Sequence, residues 1–265
     1  MTANDWLQTI TKQLTAADIP TPRLDALVLL GDELNKNSAQ LLAEPDAPLS
    51  NEQQQRLDGL LERRKQHEPL AYIRQKCEFY DREFYVSQDV LVPRPETETM
   101  IELVKELRSK AVVDVGTGSG AIAITVACEL HEVQVLATDI DAKCLKVARQ
   151  NCAKHQATVD LIQTNLVDDI KLPKDAVILA NLPYVPDEHT INQAALHEPK
   201  LAIFGGQDGL KLYRELFGQL KDKKHRGYVL TESLPPQHAE LAKVAHKAGY
   251  KLLRTDDFIQ LFSSL

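Results

Sequence analysis

Ala111-Val112-Val113-Asp114-Val115-Gly116-Thr117-Gly118-Ser119-Gly120 is the stretch that decides the fold. The apolar first half reads as a strand buried on both faces. The glycines that follow allow a sharp turn and a close approach of backbone to a ligand, and the helix Ala121–Leu130 starts directly after them. With Ala121 as its last small residue the stretch satisfies the dinucleotide-binding pattern, so a nicotinamide enzyme is one candidate.

Two features point elsewhere. Asp114 stands just before the loop, where a carboxylate would repel a pyrophosphate and attract a cationic amino acid moiety. The loop also follows a whole helical segment instead of opening the chain. S-adenosylmethionine, with an ammonium, a sulfonium and a ribose but no phosphate, suits an acidic loop better.

Downstream, strand Val133–Thr138 runs into Asp139, about the 20-residue spacing at which a carboxylate takes ribose hydroxyls. Asp141 reads as the N-cap of helix Ala142–His155. Strand Val159–Ile162 leads to Thr164-Asn165-Leu166, where Asn165 and Leu166 would flank an adenine ring. The run Ala176–Ala180 reads as another buried strand. From Ala111 to Thr231 strands and helices alternate regularly, which predicts a parallel sheet. A helix over Gln237–Ala248 and two closing strands, Lys251–Arg254 and Phe258–Phe262, would add an antiparallel edge.

Asn181-Leu182-Pro183-Tyr184 follows the Ala176–Ala180 strand, at the sheet edge where open α/β folds bind ligands. The Asn181 side-chain oxygen can accept a hydrogen bond from an NH2 group. Pro183 fixes φ and lacks an N–H, and Tyr184 offers a flat face. These residues suit the presentation of a planar amino or amide nitrogen to an electrophile. In that scheme the Asn181 oxygen and the Leu182 carbonyl each accept one N–H, and Tyr184 stacks on the amide plane. His189 and His197 lie nearby in sequence and read as turn or surface residues.

Residues up to about 75 read as short helices. Trp6, Leu7, Ile10 and Leu14 recur at helical spacing. Thr21-Pro22 reads as an N-cap and first helical residue, with Leu24, Leu27, Val28 and Leu30 continuing from it. Ser50 and Gln53 form a capping-box pattern, opening a helix that ends on the cationic Arg63-Arg64-Lys65. Glu78–Tyr80 and Glu83–Val86 around Asp81-Arg82 read as a β-hairpin. Pro93 and Pro95 hold Arg94 in an extended segment, and Arg94 could face a ligand pocket. Glu96 and Glu98 fall in the first turn of the next helix.

The composition is that of a globular chain, 43% hydrophobic and 26% charged. A formal net charge of −7 argues against a broad basic face for nucleic acid. The four cysteines show no metal-type spacing and read as reduced thiols. No apolar run reaches membrane length and no signal sequence opens the chain, so the expected location is cytoplasmic, with no metal.

Asp114-x-Gly116-x-Gly118-x-Gly120 with Asp139 resembles the nucleotide-binding signature of class I S-adenosylmethionine-dependent methyltransferases. Four further segments resemble the HemK/PrmC family, which methylates the glutamine of the Gly-Gly-Gln motif in peptide chain release factors. They are Glu68–Ile73, Glu78–Tyr80, Arg94-Pro95-Glu96-Thr97-Glu98 and Glu198–Gly206. The resemblance implies a seven-stranded, Rossmann-like α/β methyltransferase domain over 96–265. It also implies a helical substrate-docking domain over 1–75 and a hairpin linker over 76–95. Gly116, Thr117, Gly118, Ser119, Gly120, Asp139, Asn165, Leu166 and Asn181 would hold S-adenosylmethionine. Asn181, Pro183 and Tyr184 would act in catalysis, and Arg94 with Leu182 would complete the substrate site. The expected partner is a release factor, without stable nucleic acid or membrane, for a chain acting as a monomer.

Several positions depart from the family pattern. Leu182 replaces proline, a form usual in rRNA adenine dimethylases. Asn165 replaces an aspartate, Glu232-Ser233 stands where Glu-x-Gly is usual, and Asp81 replaces a glycine. An amino-methyltransferase acting on adenine in RNA or DNA, and a weakened paralogue that only binds a translation factor, are therefore the alternatives. Gly205-Gly206-Gln207 spells the substrate tripeptide but reads as a turn of the enzyme's own loop.

Overall fold

The computed structural model describes all 265 residues, which fall into two compact units. The first comprises Met1–Gln75 with Asn192–His197. Its helices are α1 (Ala3–Ala16), α2 (Pro22–Leu34), α3 (Ser38–Ala43), α4 (Asn51–Lys65) and α5 (Leu70–Arg74). The apolar face of α1 (Trp6, Leu7, Ile10, Leu14) is buried against Leu29 and Leu30 of α2 and Leu57 and Leu61 of α4. The Ser50–Gln53 capping box forms with both of its hydrogen bonds.

Two local expectations are redirected by a buried ion pair. Arg64 Nε lies 2.6 Å from Asp25 Oδ2, with both side chains sequestered. Thr21 gives its hydroxyl to Asp25 Oδ1 at 2.7 Å and does not cap backbone amides. Arg64 is thus held inside the unit and does not serve the helix dipole in solvent. Leu24 is exposed, because Asp25, Ala26, Leu29 and Leu30 form the inward stripe of α2.

The second unit, Lys76–Ile191 with Glu198–Leu265, is α/β. It opens with the hairpin β1 (Lys76–Phe79) and β2 (Arg82–Tyr85). Tyr80 and Asp81 at its turn both have positive φ, the hairpin conformation that suits glycine at position 81. Phe79 and Phe84 enter the same core as Met100, Ile101 and Val104 of α6 (Glu98–Leu107), so the hairpin packs into the α/β unit.

The main sheet contains β3 (Ala111–Val115), β4 (Gln134–Asp139), β5 (Asp160–Gln163), β6 (Val177–Ala180), β7 (Tyr228–Glu232), β8 (Tyr250–Asp256) and β9 (Ile259–Ser264). Its order is β5-β4-β3-β6-β7-β9-β8. The strands β5 to β7 run parallel, and β9 enters antiparallel between β7 and β8. The closing antiparallel edge expected from the sequence is present. Its outermost strand is the penultimate one, with Lys251 and Arg254 exposed along it, which discourages edge-to-edge pairing.

Alternate residues of each buried strand feed opposite cores. Ile178 and Ala180 face α10 (Lys211–Asp222) and α11 (His238–Lys247), while Val177 and Leu179 face α6 and α7 (Ala121–Glu129). The helices α8 (Ala142–His155) and α9 (Lys200–Ile203) complete the α/β unit. Chain order reverses between β3 and β6, and the crevice at their carboxyl ends is where such sheets bind ligands. No helix of the structure is long and apolar enough to cross a membrane. No disulfide joins any of the four cysteines, and no cluster of His, Cys, Asp or Glu is placed to hold a metal ion.

Candidate active site

The glycine turn leaves β3 at Gly116, whose φ of +74° favours glycine. A Cβ there would come within 2.9 Å of the Leu182 side chain. Gly120 has φ +82°, and a Cβ on it would meet Ile124 and, at 3.2 Å, Ala148 of α8. Gly120 therefore serves the close packing of α7 on α8 and does not line the cavity formed by its neighbours.

Asp114 departs from the expectation of a carboxylate facing a ligand. It is fully buried, and Oδ2 accepts from the Thr117 hydroxyl at 2.6 Å and the Ala123 amide at 3.2 Å. Burial pushes its pKa up to about 6 against the lowering effect of those two bonds. Asp114 thus ties the glycine turn to the first turn of α7 from behind.

Asp139 ends β4 and does face the cavity. Oδ2 accepts from Gly118 N and Oδ1 from Asp141 N, both at 2.9 Å. Burial raises its pKa, and the two amide bonds oppose the rise. Asn165 and Leu166, which follow β5, line the same cavity. Leu166 has φ +52° and accepts through its carbonyl from Thr138 Oγ1 at 2.8 Å. The Asn165 amide donates to Glu215 of α10.

The cavity of about 200 Å³ is mostly apolar, and its lining includes Thr117, Gly118 and Ser119 of the glycine turn and Asn181, Leu182 and Pro183 after β6. Arg94 lines it too, with Nη2 2.6 Å from Glu198 Oε1. Burial works against the Arg94 charge, but Glu198 more than offsets it and the guanidinium pKa is raised. The other charged lining residues are Asp89, Asp139 and Asp141.

Asn181 follows β6 directly, and its Nδ2 donates to Thr97 Oγ1 at 3.1 Å. Thr97 donates in turn to Glu232 Oε2 at 2.6 Å, and Tyr184 gives its hydroxyl to Glu232 Oε1 at 3.0 Å. Glu232, at the carboxyl end of β7, is fully buried and its pKa is raised by burial. Tyr184 packs against the core and lies outside the cavity lining. Burial, then Glu232, raises its phenol pKa. The Tyr213 hydroxyl sits among the carbonyls of Ala180, Leu182 and Glu232. Behind the corner, Gln237 Nε2 donates to the carbonyls of Tyr184 and Asp208 at 2.7 and 2.8 Å.

Comparison with known proteins adds to this geometry. Residues 5–74 match the model of the PrmC N-terminal domain, and residues 95–199 match the methyltransferase small domain. A release factor glutamine methyltransferase of Koribacter versatilis is 39% identical, over 88% of this chain and 86% of its own length. The chain belongs to the release factor glutamine methyltransferase family. A member from Coxiella burnetii is 34% identical over 91% of this chain and 89% of its own. Among solved structures, a methyltransferase from Pyrococcus furiosus shares the fold at 18% identity, covering 80% of this chain and 97% of that one, with a TM-score of 0.52.

The methyltransferase cofactor fits the cavity, whereas a dinucleotide does not. Three carboxylates and one arginine already paired with Glu198 line it, leaving no uncompensated cation for a pyrophosphate. Asp139 and the polar turn suit ribose hydroxyls and an ammonium, and the exposed Ile140 and buried Leu166 offer apolar surface to a purine. Thr97 and Glu232, which the structure links to Asn181 and Tyr184, are residues that sequence reading left without a role. The usable signal was Glu232 itself, an acidic residue ending a buried strand on the ligand edge of the sheet.

Proposed function

We propose that this methyltransferase transfers the methyl group of S-adenosylmethionine to the side-chain amide nitrogen of a glutamine in a peptide chain release factor. The glutamine is that of the Gly-Gly-Gln motif. The observation that carries the reading is the Asn181 corner. With Nδ2 committed to Thr97, the side-chain oxygen is what Asn181 offers to an acceptor in the cavity.

When bound, S-adenosylmethionine supplies an electrophilic methyl on a sulfonium. Gly116, Thr117, Gly118, Ser119 and Asp139 would hold it along one wall, with Asn165 and Leu166 at the adenine end. An amide nitrogen is a weak nucleophile, because its lone pair is shared with the carbonyl. The Asn181 oxygen and the Leu182 carbonyl each accept one N–H, orienting that lone pair and stabilising positive charge as it develops on nitrogen. Pro183, with its fixed φ and a carbonyl that a Cβ on Gly205 would meet at 2.2 Å, would keep the backbone of this corner fixed. Tyr184, tied to Glu232, acts by holding the corner and not by stacking in the cavity. Arg94, paired with Glu198, would contact the acceptor chain.

Leu182, the residue shared with adenine dimethylases, does not itself favour an adenine acceptor. Its side chain is only 3% exposed and packs on Gly116, so its identity affects the glycine turn more than the acceptor. The helical unit Met1–Gln75 is proposed to dock the release factor, the hairpin to lead into the catalytic unit, and the chain to act as a cytoplasmic monomer. The match of residues 5–74 to the N-terminal model of the family supports the docking role.

The deciding experiment is methyl transfer from labelled S-adenosylmethionine to an intact release factor and to one whose motif glutamine is replaced. Label is expected on the first alone. Asn181→Ala should lower turnover by about 100-fold or more while cofactor affinity falls only modestly. Equal labelling of both release factors, or of RNA, would refute the reading.

A further inference from the structure

Which atom Asn181 turns to the acceptor is decided by hydrogens, and a buried relay fixes them. A carboxylate only accepts hydrogen bonds, whereas a hydroxyl donates one hydrogen and can accept. Both oxygens of Glu232 are engaged by hydroxyls, Thr97 on one and Tyr184 on the other. Thr97 therefore spends its single hydrogen on Glu232, and its oxygen can only accept on its remaining side. Asn181 lies on that side and also gives a side-chain hydrogen bond toward Glu232, so it must present NH2 to this pair and keep its oxygen for the cavity. The two ends of a carboxamide are nearly equal in shape, so its orientation is set by its neighbours' donors and acceptors.

We infer that Glu232 and Thr97 are positioning residues for methyl transfer, a two-step polarity relay that keeps the Asn181 side-chain oxygen facing the acceptor. Thr97 lines the cavity beside Asn181 and Glu232 lies behind it, and in this role both act through the Asn181 amide. If Thr97 turned its hydrogen toward Asn181, the amide would rotate and place NH2 against the acceptor's own NH2, replacing attraction by repulsion. Thr97 and Glu232 are both buried, which strengthens the hydrogen bond between them. It joins the turn before α6 to the ends of β6 and β7. It rests on the proposed glutamine-amide reaction for its purpose, but not for its geometry.

The test has two readouts. In the first, Thr97→Val, Thr97→Ser and wild type are compared in labelled-methyl transfer to an intact release factor, with cofactor affinity titrated separately. The relay predicts that Thr97→Val, which keeps the shape and loses the hydroxyl, lowers kcat about 100-fold with cofactor affinity unchanged. Thr97→Ser should recover most of the rate. A Thr97→Val protein within roughly threefold of wild-type kcat, or a Thr97→Ser protein as slow as Thr97→Val, would overturn the relay. The second readout needs no acceptor. Proton contacts seen by NMR between the Asn181 side-chain NH2 and the Thr97 side chain are expected in wild type and Thr97→Ser. Their absence in wild type overturns the relay. Should wild type carry the contacts yet leave release factor unlabelled, the glutamine reading falls and the relay stands.

Discussion

Asp114→Asn isolates the free energy held behind the glycine turn. Asp114 is completely buried, and desolvation lifts its pKa from 3.8 to about 6. That is roughly 2 units, or about 3 kcal/mol at 1.36 kcal/mol per unit. A carboxyl with a raised folded-state pKa contributes stability that is full below its unfolded pKa and is lost as pH rises through the folded value. Between about pH 4 and pH 7 the native protein therefore loses about 3 kcal/mol at this group, while asparagine loses nothing. Asparagine can still accept from Thr117 and Ala123, but its NH2 would replace Oδ1, which has no partner. That costs about 1–3 kcal/mol at every pH and cancels when the two pH values are compared.

The measurement is urea unfolding of both proteins without cofactor, since a ligand that binds only the native state would add its own linkage. It should be followed by far-UV circular dichroism, because the single tryptophan, Trp6, lies in the helical unit. Other carboxylates titrate in both proteins and drop out of the difference. Asp139 couples most directly, and it is the smallest of the causes acting on Asp114. The variant should gain on wild type by about 3 kcal/mol from pH 4 to pH 7. A difference that stays flat, or grows toward acid, would refute a neutralisation cost at this site.

Three other substitutions have outcomes set by particular contacts. Gly209→Ala, at φ +76°, would put a Cβ 2.0 Å from the Tyr184 carbonyl oxygen and 2.3 Å from Gln237 Nε2. Turnover should collapse while calorimetric cofactor affinity survives, because the damage lies behind Tyr184. Gly116→Ala should do the reverse first, weakening cofactor binding as Leu182 is displaced from 2.9 Å, with about 1–3 kcal/mol of backbone strain visible in thermal unfolding. Arg64→Ala strands the buried Asp25 carboxylate, so Trp6 fluorescence in urea should report a loss of about 3–5 kcal/mol in the helical unit.

What the sequence made legible and what it hid follow from how far each interaction reaches along the chain. Strands such as Ala111–Val115, the Asp141 cap and the Ser50–Gln53 box depend on residues a few positions apart, and periodicity and capping rules read them directly. Asp114 was misread because charge was weighed without burial. A carboxylate at the end of a both-face-buried strand can turn inward as easily as toward a ligand, and here the Thr117 hydroxyl and the Ala123 amide of α7 give it reason to. Gly120 looked like cradle but serves Ala148, a residue on another helix.

The corner itself divides the same way. Asn181, Leu182 and Pro183 supply acceptors and a fixed backbone from consecutive positions, so their chemistry can be guessed from the tetrapeptide. Their orientation comes from Thr97 and Glu232, which are 135 residues apart, and from Tyr184 and Gln237, bonded across separations of 48 and 53. No local pattern announces such partners. Only a sheet that brings β6 beside β7, with the turn before α6 against both, places them together. The acceptor atoms can therefore persist in any chain that keeps the tetrapeptide, whereas their aim depends on the whole parallel sheet. Substitutions at Thr97, Glu232 and Gln237 should consequently alter kcat before they alter cofactor affinity.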